Sequence, residues 1–126
     1  MYEKKIVDSV RCPLEYGLSV FGGKWKSRII CVLAGLGTLR YSAIRKEMTD
    51  ITDAVLSGNL RELEEDGIII RKQYPEIPPR VEYMLSEKGQ SIVPILQSIC
   101  RWSGAYRKKE EEQLLKQCQP DRKSVV

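Results

Sequence analysis

A chain of 126 residues, 42% apolar and 30% charged, can bury one core and hardly two, so a single domain with polar ends is expected. Histidine is absent, and the four cysteines, Cys12, Cys31, Cys100 and Cys118, have no C-x-x-C spacing; mixed Cys/His zinc frameworks and Ser-His or Cys-His nucleophile pairs are excluded, and no enzyme activity, cofactor or metal is expected. A net charge of +4 does not by itself demand nucleic acid, and with no apolar run near the roughly 18 residues that cross a bilayer and no signal-peptide stretch in "MYEKKIVDSV", a cytoplasmic protein without a membrane partner is expected.

From Cys12, "PLEYGLSVFGG" opens with a proline suited to a first helical turn and spaces Leu14, Leu18 and Phe21 along one face, a helix that Gly22 and Gly23 stop. "KWKSRIICVLAG" follows as a second helix with Trp25, Ile29 and Leu33 on one side. Lys24, Lys26 and Arg28 crowd its first turns, where cations oppose the helix dipole; a compensating group is expected, and an anionic partner is one candidate. After the glycine-broken "GLGTL", the stretch "RYSAIRKEM" reads as a short helix with Ile44 and Met48 facing inward. "DITDAVLSGNLRELEEDG" supplies Thr52 as an N-cap, Val55, Leu56, Leu60 and Leu63 as a buried stripe, and Gly67 as the stop. Two helices across a short turn make a helix-turn-helix candidate. "IIIRKQY" and "VEYML" pair as a hairpin around a turn with three prolines. Ser86 then caps a long last helix, "EKGQSIVPILQSICRWSGAY", with Ile92, Leu96, Ile99 and Trp102 in register; Pro94 should kink it or shift its start.

This order of helices, hairpin and closing helix is that of a winged helix-turn-helix: mainly α, with a small β-hairpin as the wing. The prolines stiffen the wing tip, which is expected to hold Arg80 out from the body toward a DNA backbone or minor groove. Cys12-Pro13, "GGKW" at 22–25, "RYSAI" at 40–44, "LRELEEDGII" at 60–69, "YPEIPPRVEYMLSEKG" at 74–89 and Trp102 occur in sequence over nearly the whole chain from Cys12 to about Gly104. This ordered set resembles the HxlR-type transcriptional regulators, winged-helix proteins related in architecture to MarR proteins. The resemblance implies a domain over 12–106 that includes a C-terminal dimerisation helix, between an N-terminal arm (1–11) and a charged tail (107–126). It further implies a homodimer on an inverted-repeat promoter element of double-stranded DNA, with the fourth helix in the major groove and the wing alongside; a repressor is the leading reading of such a regulator.

With its apolar stripe buried, the fourth helix turns Asp53, Ala54, Ser57, Gly58 and Arg61 outward beyond the cap Thr52. Ser57 can donate to bases or phosphate, and Arg61 can neutralise phosphate or read guanine. Gly58 permits close backbone approach at a cost of about 1 kcal/mol against alanine. Lys24, Arg40 and Ser42 lie where the preceding helices approach phosphate, and Arg80 is the expected wing contact. Asp53, Ala54 and Gly58 depart from the longer polar or basic side chains of the resembled family, which moves the expected binding toward shape and phosphate contacts. A solvated-face reading competes, in which Arg61 pairs with Glu64 or Glu65.

Tyr16, Leu18, Ile92, Ile95, Ile99, Trp102 and Tyr106 offer more apolar area than one small domain needs, so a homodimer through the first and last helices is expected. Trp25 and Trp102 read as core or dimer packing, and Cys31 and Cys100 as core. Cys12 stands at a helix start beside Arg11, where positive potential favours a nucleophilic sulfur. The resemblance implies oxidant or quinone sensing at this position, so an oxidant or another small molecule is the candidate effector. The alternative is a winged-helix protein-interaction module without specific DNA binding, which the acidic "ELEED" would permit.

Overall fold

In the computed structural model, residues 12–107 are described; the arm at 1–11, Cys118 and the tail beyond 107 lie outside them. The elements are α1 (Pro13–Phe21), α2 (Lys26–Leu36), β1 (Leu39–Arg40), α3 (Tyr41–Met48), α4 (Asp53–Glu65), β2 (Ile69–Tyr74), β3 (Arg80–Leu85) and α5 (Glu87–Tyr106). Each helix begins where the local chemistry favours it. Pro13 sits in the first turn of α1 behind an extended Cys12. The Thr52 hydroxyl accepts the Val55 N–H at 3.2 Å to open α4, and the Ser86 hydroxyl accepts the Gly89 N–H at 3.0 Å to open α5. Gly67, at φ 76°, takes the left-handed turn that releases the chain from α4 into β2. Of the two effects expected of Pro94, a kink or a shifted start, the shift does not occur: α5 starts at its serine cap and runs through the proline, which is exposed.

The sheet has a third strand that the sequence reading missed. β1 pairs antiparallel with β3 through Leu39↔Tyr83 and Arg40↔Glu82, giving the order β1-β3-β2. Two residues carry no periodicity, so only the partner strand reveals them as a strand. β2 and β3 form the predicted hairpin, with Arg71 opposite Tyr83, Lys72 opposite Glu82 and Tyr74 opposite Arg80.

α2 is central, packing against α1, α3, α4, α5 and β3. Its Ile29 and Ile30 are fully buried with Ile44, Met48, Leu56 and Leu63. Three expectations about burial are corrected. Val55 is exposed, because the inward stripe of α4 is the narrower Leu56, Leu60, Leu63 set and Val55 falls beside it. Ile92, at 6% exposure, is buried in the monomer's own core with Leu96 and is not available to a dimer seam. Cys100 is half-buried where a core position was expected, whereas Cys31 is buried.

The cations at the start of α2 also find their compensation inside the molecule. Lys26 is the buried one, at 6% exposure, and its Nζ lies 2.7 Å from Glu62 Oε1 on α4. Lys24 and Arg28 lie over the Trp25 ring at 4.7 and 5.5 Å. The anion that balances Lys26 is therefore a carboxylate of this chain, and no external partner is needed to explain it.

Candidate nucleic-acid interface

α3 and α4 meet across the turn 49–52, in which Ile51 is buried as a peg and Thr49 adopts φ 57°. This fixes α4 with its outer face open. Thr52, Asp53, Ala54, Val55, Ser57 and Arg61 are exposed, and a methyl group placed on Gly58 would meet nothing within 4 Å. Backbone approach at Gly58 is thus sterically open. Asp53 does not present a bare negative charge: its Oδ1 lies 2.7 Å from Arg45 Nε and accepts the Tyr41 hydroxyl at 2.8 Å. Burial, assisted by the Asp53 carboxylate against the opposing pull of Ser57 and Arg45, pushes the Tyr41 phenol above its usual range, so it remains a hydrogen-bond donor.

Between α4 and the sheet runs an open cleft of about 220 Å³, lined by Tyr41, Ser57, Leu60, Arg61, Glu64, Arg71 and Tyr83. Ser57, Leu60, Arg61 and Glu64 are one helical stripe, at i, i+3, i+4 and i+7, so α4 forms one wall. Arg71 and its cross-strand partner Tyr83 form the other. Two arginines and three hydroxyl-bearing residues, Tyr41, Ser57 and Tyr83, thus border one groove together with Glu64. The predicted Ser57 and Arg61 come together here; Arg71 and Tyr41 were missed. Strand alternation from the buried Ile69 places Arg71 on the same side, which is the signal that could have found it.

The wing corrects another expectation. Arg80 is not held out from the body: its Nη1 donates to Glu82 Oε2 at 3.0 Å and its Nη2 to Glu76 Oε2 at 2.9 Å. Its guanidinium lies 3.8 Å from the centre of the Tyr74 ring, and the Tyr74 hydroxyl donates to Glu82 Oε1 at 3.1 Å. The cause is register. Tyr74 sits directly across from Arg80, and Glu82, two residues along β3, shares its face. The hydrogen bond that Arg80 donates to Glu76, with the Glu76 and Glu82 carboxylate charges, outweighs burial and holds Arg80 protonated beyond its usual range. Of the other predicted contacts, Arg40 and Ser42 are exposed beside Tyr41 at the start of α3, and Lys24 is exposed on Trp25 at the start of α2.

Residues 20–111 match the model of the HxlR-like helix-turn-helix family. The chain belongs to that family. An HTH-type transcriptional regulator of Methanothermobacter thermautotrophicus is 46% identical over 104 residues, 82% of this chain and 79% of the relative. The crystal structure of ytcD, an HTH-type regulator of Bacillus subtilis, superposes with a TM-score of 0.73 at 42% identity, covering 76% of this chain and 97% of that one. The redox regulator HypR in its oxidised form is similar at a TM-score of 0.70 and 40% identity, over 77% of this chain and 99% of that one. This HxlR-like chain is thus a transcriptional regulator by family, with a winged-helix fold.

Two further features of this HxlR-like protein lie away from the cleft. Cys12 is exposed at the N-cap of α1, with no hydrogen bond from its side chain to the helix. Leu14, Tyr16 and Leu18 of α1, and Ile95, Ile99, Trp102 and Tyr106 of α5, are exposed large apolar residues; Trp102 and Tyr106 rest on each other with ring centres 5.4 Å apart. No helix among the described residues is long and apolar enough to cross a membrane.

Proposed function

We propose that this protein is a sequence-specific DNA-binding regulator, a repressor, that engages an inverted repeat in double-stranded DNA as a homodimer. The observation that carries the reading is the cleft whose lining brings together Arg61 of α4 and Arg71 of the wing with the hydroxyl-bearing Tyr41, Ser57 and Tyr83 and a single carboxylate, Glu64. With α4 in a major groove, the phosphate backbone that bounds the groove crosses between helix and wing, where these donors can hold it. Arg40, Ser42 and Lys24 extend the contact along the backbone, Ala54, Ser57 and Gly58 approach base edges, and Thr52 and Asp53 position the helix. In this reading Arg80 shapes the wing, and its expected direct contact with DNA passes to Arg71. The exposed apolar residues of α1 and α5 supply the dimer seam, setting two α4 helices about 34 Å apart, one turn of DNA.

The effector is proposed to be an oxidant or electrophile that modifies Cys12. Support comes from the exposure of this thiol at the start of a helix that also carries the seam, and from the likeness to HypR, a redox regulator. A modified thiol changes occupancy only by favouring one dimer geometry over the other. The test is selection of genomic fragments by the purified protein under reducing and oxidising conditions. Retained fragments should share an inverted repeat, and oxidation should release or alter it in the wild type but not in Cys12→Ser. Retention of random, weakly held fragments in both conditions would overturn the regulator reading in favour of a protein-interaction module.

A further inference from the structure

Asp53 is the first residue of α4, and its carboxylate is clamped from α3. Arg45 Nε, in the last turn of α3, lies 2.7 Å from Oδ1, and the Tyr41 hydroxyl, at the start of α3, donates to the same oxygen at 2.8 Å. Two donors from a separate helix therefore fix this side chain, and both act on one oxygen. The side chain remains 70% exposed, so Oδ2 faces solvent as an acceptor aimed in a set direction. The helix dipole alone favours a carboxylate in a first turn. That accounts for a negative charge at this position, but not for its orientation by a second helix. Arg45 also supplies the counter-charge that allows an anion to approach DNA without bare repulsion.

The position of that acceptor decides what it meets. Asp53, Ser57 and Arg61, at i, i+4 and i+8, run along one stripe of α4, and Ser57 and Arg61 are the two that line the cleft. Asp53 lies about 12 Å from Arg61 along the helix axis. With a phosphate backbone in the cleft at Arg61, Asp53 is carried into the groove, at the end of a recognition helix whose N-terminal residues meet base edges. An ionised carboxylate can only accept hydrogen bonds. The donors in the major groove are the amino groups of cytosine and adenine, and adenine sets its N7 acceptor beside the amine, where it repels a carboxylate. Cytosine has only a C–H there, which makes its N4 amine the better match.

Resting on the DNA-binding reading above, we infer that Asp53 is a specificity-determining residue that accepts a hydrogen bond from the N4 amine of one cytosine in each half-site, with Arg45 and Tyr41 as its positioning residues. This reverses the expectation that a short acidic side chain here moves binding away from direct readout. The side chain is short, but its orientation is fixed before DNA arrives, so the contact carries little ordering cost.

The experiment compares the DNA fragments selected by the full-length wild type, Asp53→Asn and Tyr41→Phe, with thermal unfolding of each protein alongside. Wild-type half-sites should share a cytosine at two symmetry-related positions. Replacing that C·G pair with T·A, which puts an acceptor where the amine stood, should weaken wild-type binding roughly tenfold or more. Asp53→Asn, whose amide also donates, should lose the preference for cytosine or turn it toward adenine, while the other positions of the half-site are kept. Tyr41→Phe, which leaves the charge unchanged, should relax the preference at the same position. A carboxylate that only stabilises the start of α4 would lower the melting temperature of Asp53→Asn and leave its selected bases as they were. That result, or a wild-type half-site without a preferred cytosine, would overturn the inference and leave the regulator reading standing; full discrimination by Tyr41→Phe would overturn the positioning role of Tyr41. A wild type that selects no fragment would remove both the inference and the regulator reading.

Discussion

Lys26 shows how a single position can read one way in sequence and another in the fold. As a cation at a helix start it suggested an external anion, yet it is buried and paired with Glu62 at 2.7 Å, joining α2 to the last turn of the proposed DNA-reading helix. A third of the Glu62 side chain remains exposed, so that carboxylate can be rehydrated if its partner is lost. Lys26→Ala should therefore cost about 3 kcal/mol, mostly from the void and the shortened packing, while Lys26→Met, which keeps the aliphatic length, should cost about 1 kcal/mol or less. Urea denaturation of both variants checks this; equal losses would mean that the charge pair, not the packing, dominates. Arg80 makes the complementary point. Its charge was placed correctly in the wing, but Tyr74, Glu76 and Glu82 claim it.

Glycines at the level of elements separate what is open from what is packed. A methyl group on Gly58, in the middle of α4, would meet nothing, whereas one on Gly89 would collide with the Ile68 carbonyl, because the first turn of α5 lies directly on the entry to β2. Gly58→Ala should stabilise the protein by about 1 kcal/mol by removing the glycine penalty in a helix, and Gly89→Ala should destabilise it by about 3 kcal/mol, as overpacked sites do. Thermal unfolding reads both. If the α4 backbone approaches DNA as proposed, Gly58→Ala should also bind the selected fragment more weakly than the wild type despite its greater stability. Undiminished binding would move the close approach elsewhere on the helix.

At the level of the whole molecule, the exposed apolar residues of α1 and α5 define the proposed dimer seam. Trp102 is 68% exposed and Ile99 half exposed, so charging them disturbs no monomer core. Ile99→Glu with Trp102→Glu should give a folded monomer in sedimentation equilibrium, with unfolding little changed per chain and affinity for an inverted repeat reduced by at least tenfold, since one α4 cannot read two half-sites. Retention of the dimer would place the seam on another surface.

The helices, their caps at Thr52 and Ser86, the stop at Gly67 and the hairpin were legible in the sequence because each is fixed by neighbours a few residues away. Family membership was legible for a related reason: its motifs are the same local signals in a fixed order. The strand β1, the burial of Lys26 and Ile92, the exposure of Val55 and the capture of Arg80 were decided only when distant segments met. Two residues become a strand through β3, a lysine is buried because a glutamate from another helix balances it, and an arginine turns inward because strand register sets Tyr74 across from it. The cleft belongs to this second kind: Arg61 and Arg71 lie on different elements, and pairing of the strands and packing of α4 beside them set the two side by side.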